Sequence, residues 1–99
     1  MNRAEILEQA RKCVCGDREQ DYGTPESNFS NIAKLWTAYK DIEFTPKDVA
    51  VMMTLMKIAR IKSNNPKTDN WVDAAGYLSC GGEIEVKDAK NQFERNNNK

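Results

Sequence analysis

The chain has 99 residues, with 15 Lys plus Arg balanced by 15 Asp plus Glu for a net charge of +0; 30% of its residues are charged and 39% hydrophobic. A chain this short buries only about 60–65% of the surface it exposes when unfolded, which excludes a second folded domain. Electroneutrality argues against a broad grip on duplex nucleic acid or an anionic membrane, which needs surplus basic residues, but it leaves room for a small basic pocket.

The first predicted helix, about 3–14, places Ile6, Leu7, Ala10 and Val14 at helical spacing, with Glu5, Glu8, Arg11 and Lys12 opposite, and Gly16 ends it. A charged loop of about eight residues follows. Thr24-Pro25-Glu26 then supplies an N-cap and a proline at a position whose N–H needs no partner. Phe29, Ile32, Ala33, Trp36 and Tyr39 line one face of this second helix. The third starts at Thr45-Pro46-Lys47-Asp48, where a Thr cap and an acidic N3 residue satisfy free N–H groups and suit the helix dipole. From Val49 through Ile61 it is apolar on nearly every side, interrupted by Lys57 and Arg60. Pro66 breaks it. A fourth helix over about 69–80 follows a Thr68 cap and is predicted to stop at Gly81-Gly82. A weaker fifth, 83–93, carries Ile84, Val86, Ala89 and Phe93, a composition suited to docking on another subunit.

This pattern predicts an all-α fold: a small bundle of four to five helices over residues 1–82, with a helical tail over 83–99 that frays at its end. A greasy central helix has too little chain around it in a monomer, so a homo-oligomer built on the third or fourth helix is expected. No apolar run approaches the roughly 20 residues of a membrane span, and Met1-Asn2-Arg3-Ala4-Glu5 leads into a charged helix rather than a secretory leader. Residence in the cytosol is the expectation, with no membrane partner. Cys13, Cys15 and Cys80 then read as packed thiols rather than a disulfide framework. With no His, they do not complete a four-ligand zinc set.

Three groups of residues bear on chemistry. Lys57 and Arg60 stand three apart on one helix face, and cations in an apolar setting need anionic partners. Asp69, Asp73 and Tyr77 recur every four residues on a face opposite Trp71, Ala75 and Leu78. These charges form either an internal ion-pair seam or a polar pocket. In the loop, Arg18 is suited to forking onto a phosphate and Tyr22 to stacking on a base, with Asn28 on the first turn that follows; pairing of Arg18 with Asp21 or Asp17 and packing of Tyr22 on Trp36 are the plainer readings of each taken singly. Most aromatics, including Phe29, Trp36 and Tyr77, read as core. Trp71, flanked by Asp69, Asn70 and Asp73, reads as the rim of a pocket where an indole stacks on a nucleobase.

The string Gly16-Asp17-Arg18 … Tyr22-Gly23-x-Pro25-Glu26-x-Asn28-Phe29, with Thr45-Pro46-x-Asp48-Val49-Ala50, Lys57-Ile58-Ala59-Arg60 and Asp69-x-Trp71-Val72-Asp73-Ala74-Ala75-Gly76-Tyr77, resembles a family of small phage and prophage proteins. That resemblance implies a virus-encoded protein working in the bacterial host cytosol. A looser similarity is to the all-α nucleoside triphosphate pyrophosphohydrolases of the MazG and dUTPase type, which hold magnesium with paired acidic motifs on adjacent helices. Glu5-x-x-Glu8 has one such spacing, but it lies on the first helix, and the remaining candidates are Asp48, Asp69 and Asp73.

Three readings follow. The leading one is a non-catalytic protein that sequesters a phosphorylated or cyclic nucleotide, either a host immune signal or a metabolite, as an anti-defence device. It would use Arg18, Tyr22, Asn28, Lys57, Arg60, Trp71 and Asp73 and no cofactor. The second is a magnesium-dependent pyrophosphohydrolase using Asp48, Asp69 and Asp73. The third is a structural module in which the charges form only a seam and the apolar helix binds a host protein.

Overall fold

The structure, a computed structural model, describes residues 1–16, 23–63 and 66–97. Among them are four helices and no strand: α1 (Arg3–Cys15), α2 (Pro25–Lys40), α3 (Pro46–Lys62) and α4 (Thr68–Asn97). The fold is all-α, as expected.

Local chemistry sets most helix ends. At α2, Thr24 Oγ1 accepts the Ser27 N–H at 3.1 Å ahead of Pro25. At α3 the Thr45 hydroxyl accepts the Asp48 N–H at 3.1 Å, and Asp48 Oδ2 accepts the Thr45 N–H at 2.9 Å, so two otherwise unpaired donors are satisfied reciprocally. The same device starts α1, where Asn2 Oδ1 accepts the Glu5 N–H at 2.9 Å and Glu5 Oε1 accepts the Asn2 N–H. Asp41 ends α2 in the left-handed region, φ 55°, donating its N–H to the Thr37 carbonyl at 2.8 Å.

The core joins α2, α3 and α4 through Phe29, Ala33, Val49, Ala50, Cys80 and Ile84, with Val14 of α1 packed on its edge. Val49 is fully buried. α4 runs back antiparallel to α3, which sets Lys47 against Glu85, Ala50 against Gly81 and Lys57 against Asp73.

Two expectations are corrected. The fourth helix does not stop at Gly81-Gly82 and no separate fifth helix follows: α4 runs unbroken for 30 residues. Neither glycine takes the positive φ of a helix cap. A Cβ on Gly81 would lie 3.0 Å from the Ala50 Cβ, so this glycine serves close approach of α3 and α4 rather than termination. Ile84, 5% exposed, then holds the next turn in the core. The second correction concerns inner faces: Leu7 and Tyr39, placed by periodicity among core residues, are 64% and 84% exposed. Tyr39 lies beyond Trp36, where the edge-on contact between Trp36 and Phe44 closes that side of the bundle.

α3 is not enclosed. Its inner face is covered, but Val51, Met52, Leu55 and Ile58 on its outer face are each more than 40% exposed.

Candidate functional site

Antiparallel packing brings the cation of α3 to a carboxylate of α4. Lys57 Nζ lies 2.9 Å from Asp73 Oδ2, with the lysine side chain 10% exposed and the aspartate 30%. A buried ammonium is costly without a counter-ion, and Asp73 supplies one. The seam foreseen between the third and fourth helices is present for this pair. It does not extend to Arg60, which is exposed and makes no ion pair among the described residues. Asp69 is exposed at the start of α4. Trp71 is 56% exposed, and Asn28 is exposed on α2. Arg18 and Tyr22 lie outside the described residues.

The three aspartates considered for a metal are not gathered. Asp48 is engaged in the cap of α3, nine residues and about 13 Å along the axis from Lys57. Asp73 faces an ammonium, which occupies the position of positive charge that a divalent ion would need. Among the described residues no group of three acidic or cysteine side chains is placed to hold a metal.

A cleft of about 300 Å³ opens where α1 and the start of α2 meet α3 and α4. Phe29, Ile32, Met53 and Tyr77 give it an apolar lining, Asn28 adds an amide, and Cys13 and Cys80 line it from opposite helices. The Phe29 and Tyr77 rings are tilted at 48° with centroids 6.2 Å apart. Burial, and then the nearby Glu83 carboxylate, push the Cys80 thiol up to about 11, so it stays protonated and a poor nucleophile near neutral pH. The Lys57–Asp73 pair lies one helical turn, about 6 Å, beyond Met53 and Tyr77 on their respective helices.

Of the residues singled out in the sequence, the structure brings Lys57 and Asp73 together and sets Asn28 at the cleft. Sequence reasoning missed the cleft itself, because Phe29, Met53 and Cys80 read individually as core. Helical spacing places Val14, Phe29 and Ile32 on inner faces and Tyr77 on the Asp73 face, without signalling that these faces leave a gap.

The described residues thus form a short helical bundle with an aromatic-lined cleft beside a half-buried Lys57–Asp73 pair. The chain belongs to the DUF6378 family, described as a domain of unknown function, matching it over residues 5–85. It is 53% identical over 73 residues to the Gene 55 protein of Mycobacterium phage L5, which covers 73% of this chain and 47% of that protein. It is 44% identical over 75 residues to the Gene 55 protein of Mycobacterium phage D29, covering 76% of this chain and 50% of the relative. The chain therefore spans about half the length of the curated relatives it matches. No solved structure matches it. The resemblance to small phage proteins read from the motifs is met, and the matched span contains every motif that carried it. No helix among the described residues is long and apolar enough to cross a membrane.

Proposed function

We propose that the chain is a non-catalytic binding protein for a small nucleotide-like ligand, a phosphorylated or cyclic nucleotide of the bacterial host cytosol, which it removes by stoichiometric capture. The observation that carries this reading is the cleft of about 300 Å³ with Phe29 and Tyr77 in its lining and the Asn28 amide beside them. A flat ring suits an aromatic-lined slot, and an amide offers both the donor and the acceptor that a base edge requires. Cys80 stands in the cleft as a neutral thiol, and capture demands affinity without transition-state chemistry.

The division of labour among the cations changes from that expected. Lys57 is neutralised by Asp73, so it holds α3 on α4 beside the cleft instead of standing free for phosphate. The anionic part of the ligand falls to Arg60, seven residues and about 10 Å beyond Met53 on a similar helix face, and to Arg18. Trp71 is not among the residues that line the cleft and takes no part in this reading.

The test is retention. The protein is incubated with an equimolar nucleotide mixture, freed of unbound solute and denatured, and the released material is identified by mass spectrometry. An intact nucleotide retained by the wild type and lost from Tyr77→Ala at unchanged helicity is the expected result. No retained nucleotide overturns the reading, and magnesium-dependent appearance of pyrophosphate replaces it with hydrolysis.

A further inference from the structure

α4 carries a second apolar face that no described residue covers. Trp71, Leu78, Val86 and Phe93 are 56%, 56%, 69% and 68% exposed, and Ala75, Gly82 and Ala89 fall between them on the same side of the helix. At 100° per residue this stripe points away from Asp73, Tyr77, Cys80 and Ile84, which face the bundle. We propose that it is a homodimer interface in which the α4 helices of two copies cross antiparallel about a two-fold axis at Gly82.

The spacing of the stripe is symmetric about Gly82. The intervals along the stripe run 4, 3, 4 and then 4, 3, 4, so they read the same in both directions from Gly82. An antiparallel pair with its axis at Gly82 sets Trp71 against the partner's Phe93, Ala75 against the partner's Ala89 and Leu78 against the partner's Val86. Large meets large, small meets small, and each contact occurs twice, as an isologous interface requires.

Gly82 at the centre is itself unexplained by the monomer. A mid-helix glycine carries an entropic penalty that needs a reason. Gly81 has one in Ala50, but a Cβ on Gly82 would meet nothing within 4 Å, and Gly82 does not take a positive φ. Close approach of a second backbone at the axis supplies the missing reason.

Charge and size agree. The acidic groups nearest the axis each face a lysine, Glu83 lying 3.0 Å from Lys87, which it shares with Glu26, and Glu85 meeting Lys47 at 3.6 Å, which lowers the repulsion between two copies at the crossing. The stripe spans 23 residues, about 33 Å, and beside Leu78 and Gly82 a groove continues onto Val51 of α3. That extent is on the scale of the smaller specific interfaces, about 600 Å² per partner. The proposal stands independently of the nucleotide reading.

The experiment is sedimentation equilibrium of the full chain over a hundredfold range of concentration, with Gly82→Glu and Gly82→Ala as variants. The wild type is expected to dimerise. Gly82→Glu sets two carboxylates on the axis and raises the dimer Kd at least a hundredfold, while circular dichroism shows unchanged helicity. Gly82→Ala, which adds one methyl, weakens the dimer less and reports that the position tolerates a side chain in the fold. Gly82→Cys, oxidised in a background with Cys13 and Cys15 replaced by Ser, gives a covalent dimer, whereas Lys90→Cys in the same background does not. A wild type that stays monomeric throughout overturns the proposal, as does a dimer indifferent to Gly82→Glu that Gly82→Cys fails to cross-link.

Discussion

Up to Ile84, α4 buries Asn70, Val72, Gly76, Cys80 and Ile84, whereas from residue 85 onward every described residue is exposed. The backbone is continuous, but what holds it helical differs. The first half is fixed by packing on α1, α3 and α2, which is where most helical stability in proteins comes from. The second half depends on exposed polar pairs: Glu85 meets Lys47 of α3, Lys87 binds Glu83 one turn back and Glu26 at the start of α2, and the Gln92 amide donates to Asn96. The molecule accordingly extends 51 Å along its longest axis, on the scale of the roughly 45 Å of a 30-residue helix.

The sharpest test of that boundary is a pair of substitutions two residues apart. Ile84→Ala removes a side chain that is 5% exposed and leaves a cavity among Phe29, Cys80 and their neighbours, so a loss of about 3 kcal/mol is expected in urea titration. Val86→Ala, on the exposed stripe, is expected to change monomer stability by less than about 0.5 kcal/mol. Equal losses would mean that the overhang packs as tightly as the bundle.

Within the packed half, Asp73→Ala leaves the Lys57 ammonium almost fully buried without its counter-ion. Breaking a buried pair costs about 3–5 kcal/mol, and with Asp73 about 30% open to water the expectation here is lower, roughly 2–3 kcal/mol. The double variant Lys57→Met with Asp73→Leu should regain most of that loss, because apolar replacement of both partners removes the desolvation penalty together with the attraction. If the double variant is no more stable than Asp73→Ala alone, the pair has a role that packing does not replace.

These contrasts show which features the sequence made legible. The caps at Thr24-Pro25 and Thr45-Pro46-x-Asp48 were readable because each is built within one turn of chain. The Lys57–Asp73 pair was readable for a different reason: a cation in an apolar helix demands a partner, and the four-residue recurrence of Asp69, Asp73 and Tyr77 offered one face to supply it. Gly81 was misread because a glycine that ends a helix and one that admits a neighbouring helix have the same local signature. Only Ala50, 31 residues away, distinguishes them. The cleft is assembled from α1, α2, α3 and α4, so no single stretch announces it. Its residues passed as ordinary core because apolar periodicity records which face is covered, not whether the covering is complete.

The smallest expected effect lies at the seam between the two halves. Lys87 is half exposed and is the sole described ion-pair link from the overhang to α2, its ammonium 2.7 Å from Glu26 and 3.0 Å from Glu83. Hydrogen bonding to both carboxylates raises its pKa above the ordinary lysine value, so the group stays charged through neutral pH. Exposed pairs of this kind contribute little to global stability, and Lys87→Ala should leave the urea midpoint nearly unchanged. Its effect belongs instead to local opening: hydrogen exchange of amides over residues 86–95 should accelerate while those over 72–84 keep their protection. Because water and salt reach this pair, raised ionic strength should reproduce part of the acceleration in the wild type and add little in the variant. A uniform change along α4 would show that the helix opens as one unit, with Ile84 no longer marking where packing gives way to local support.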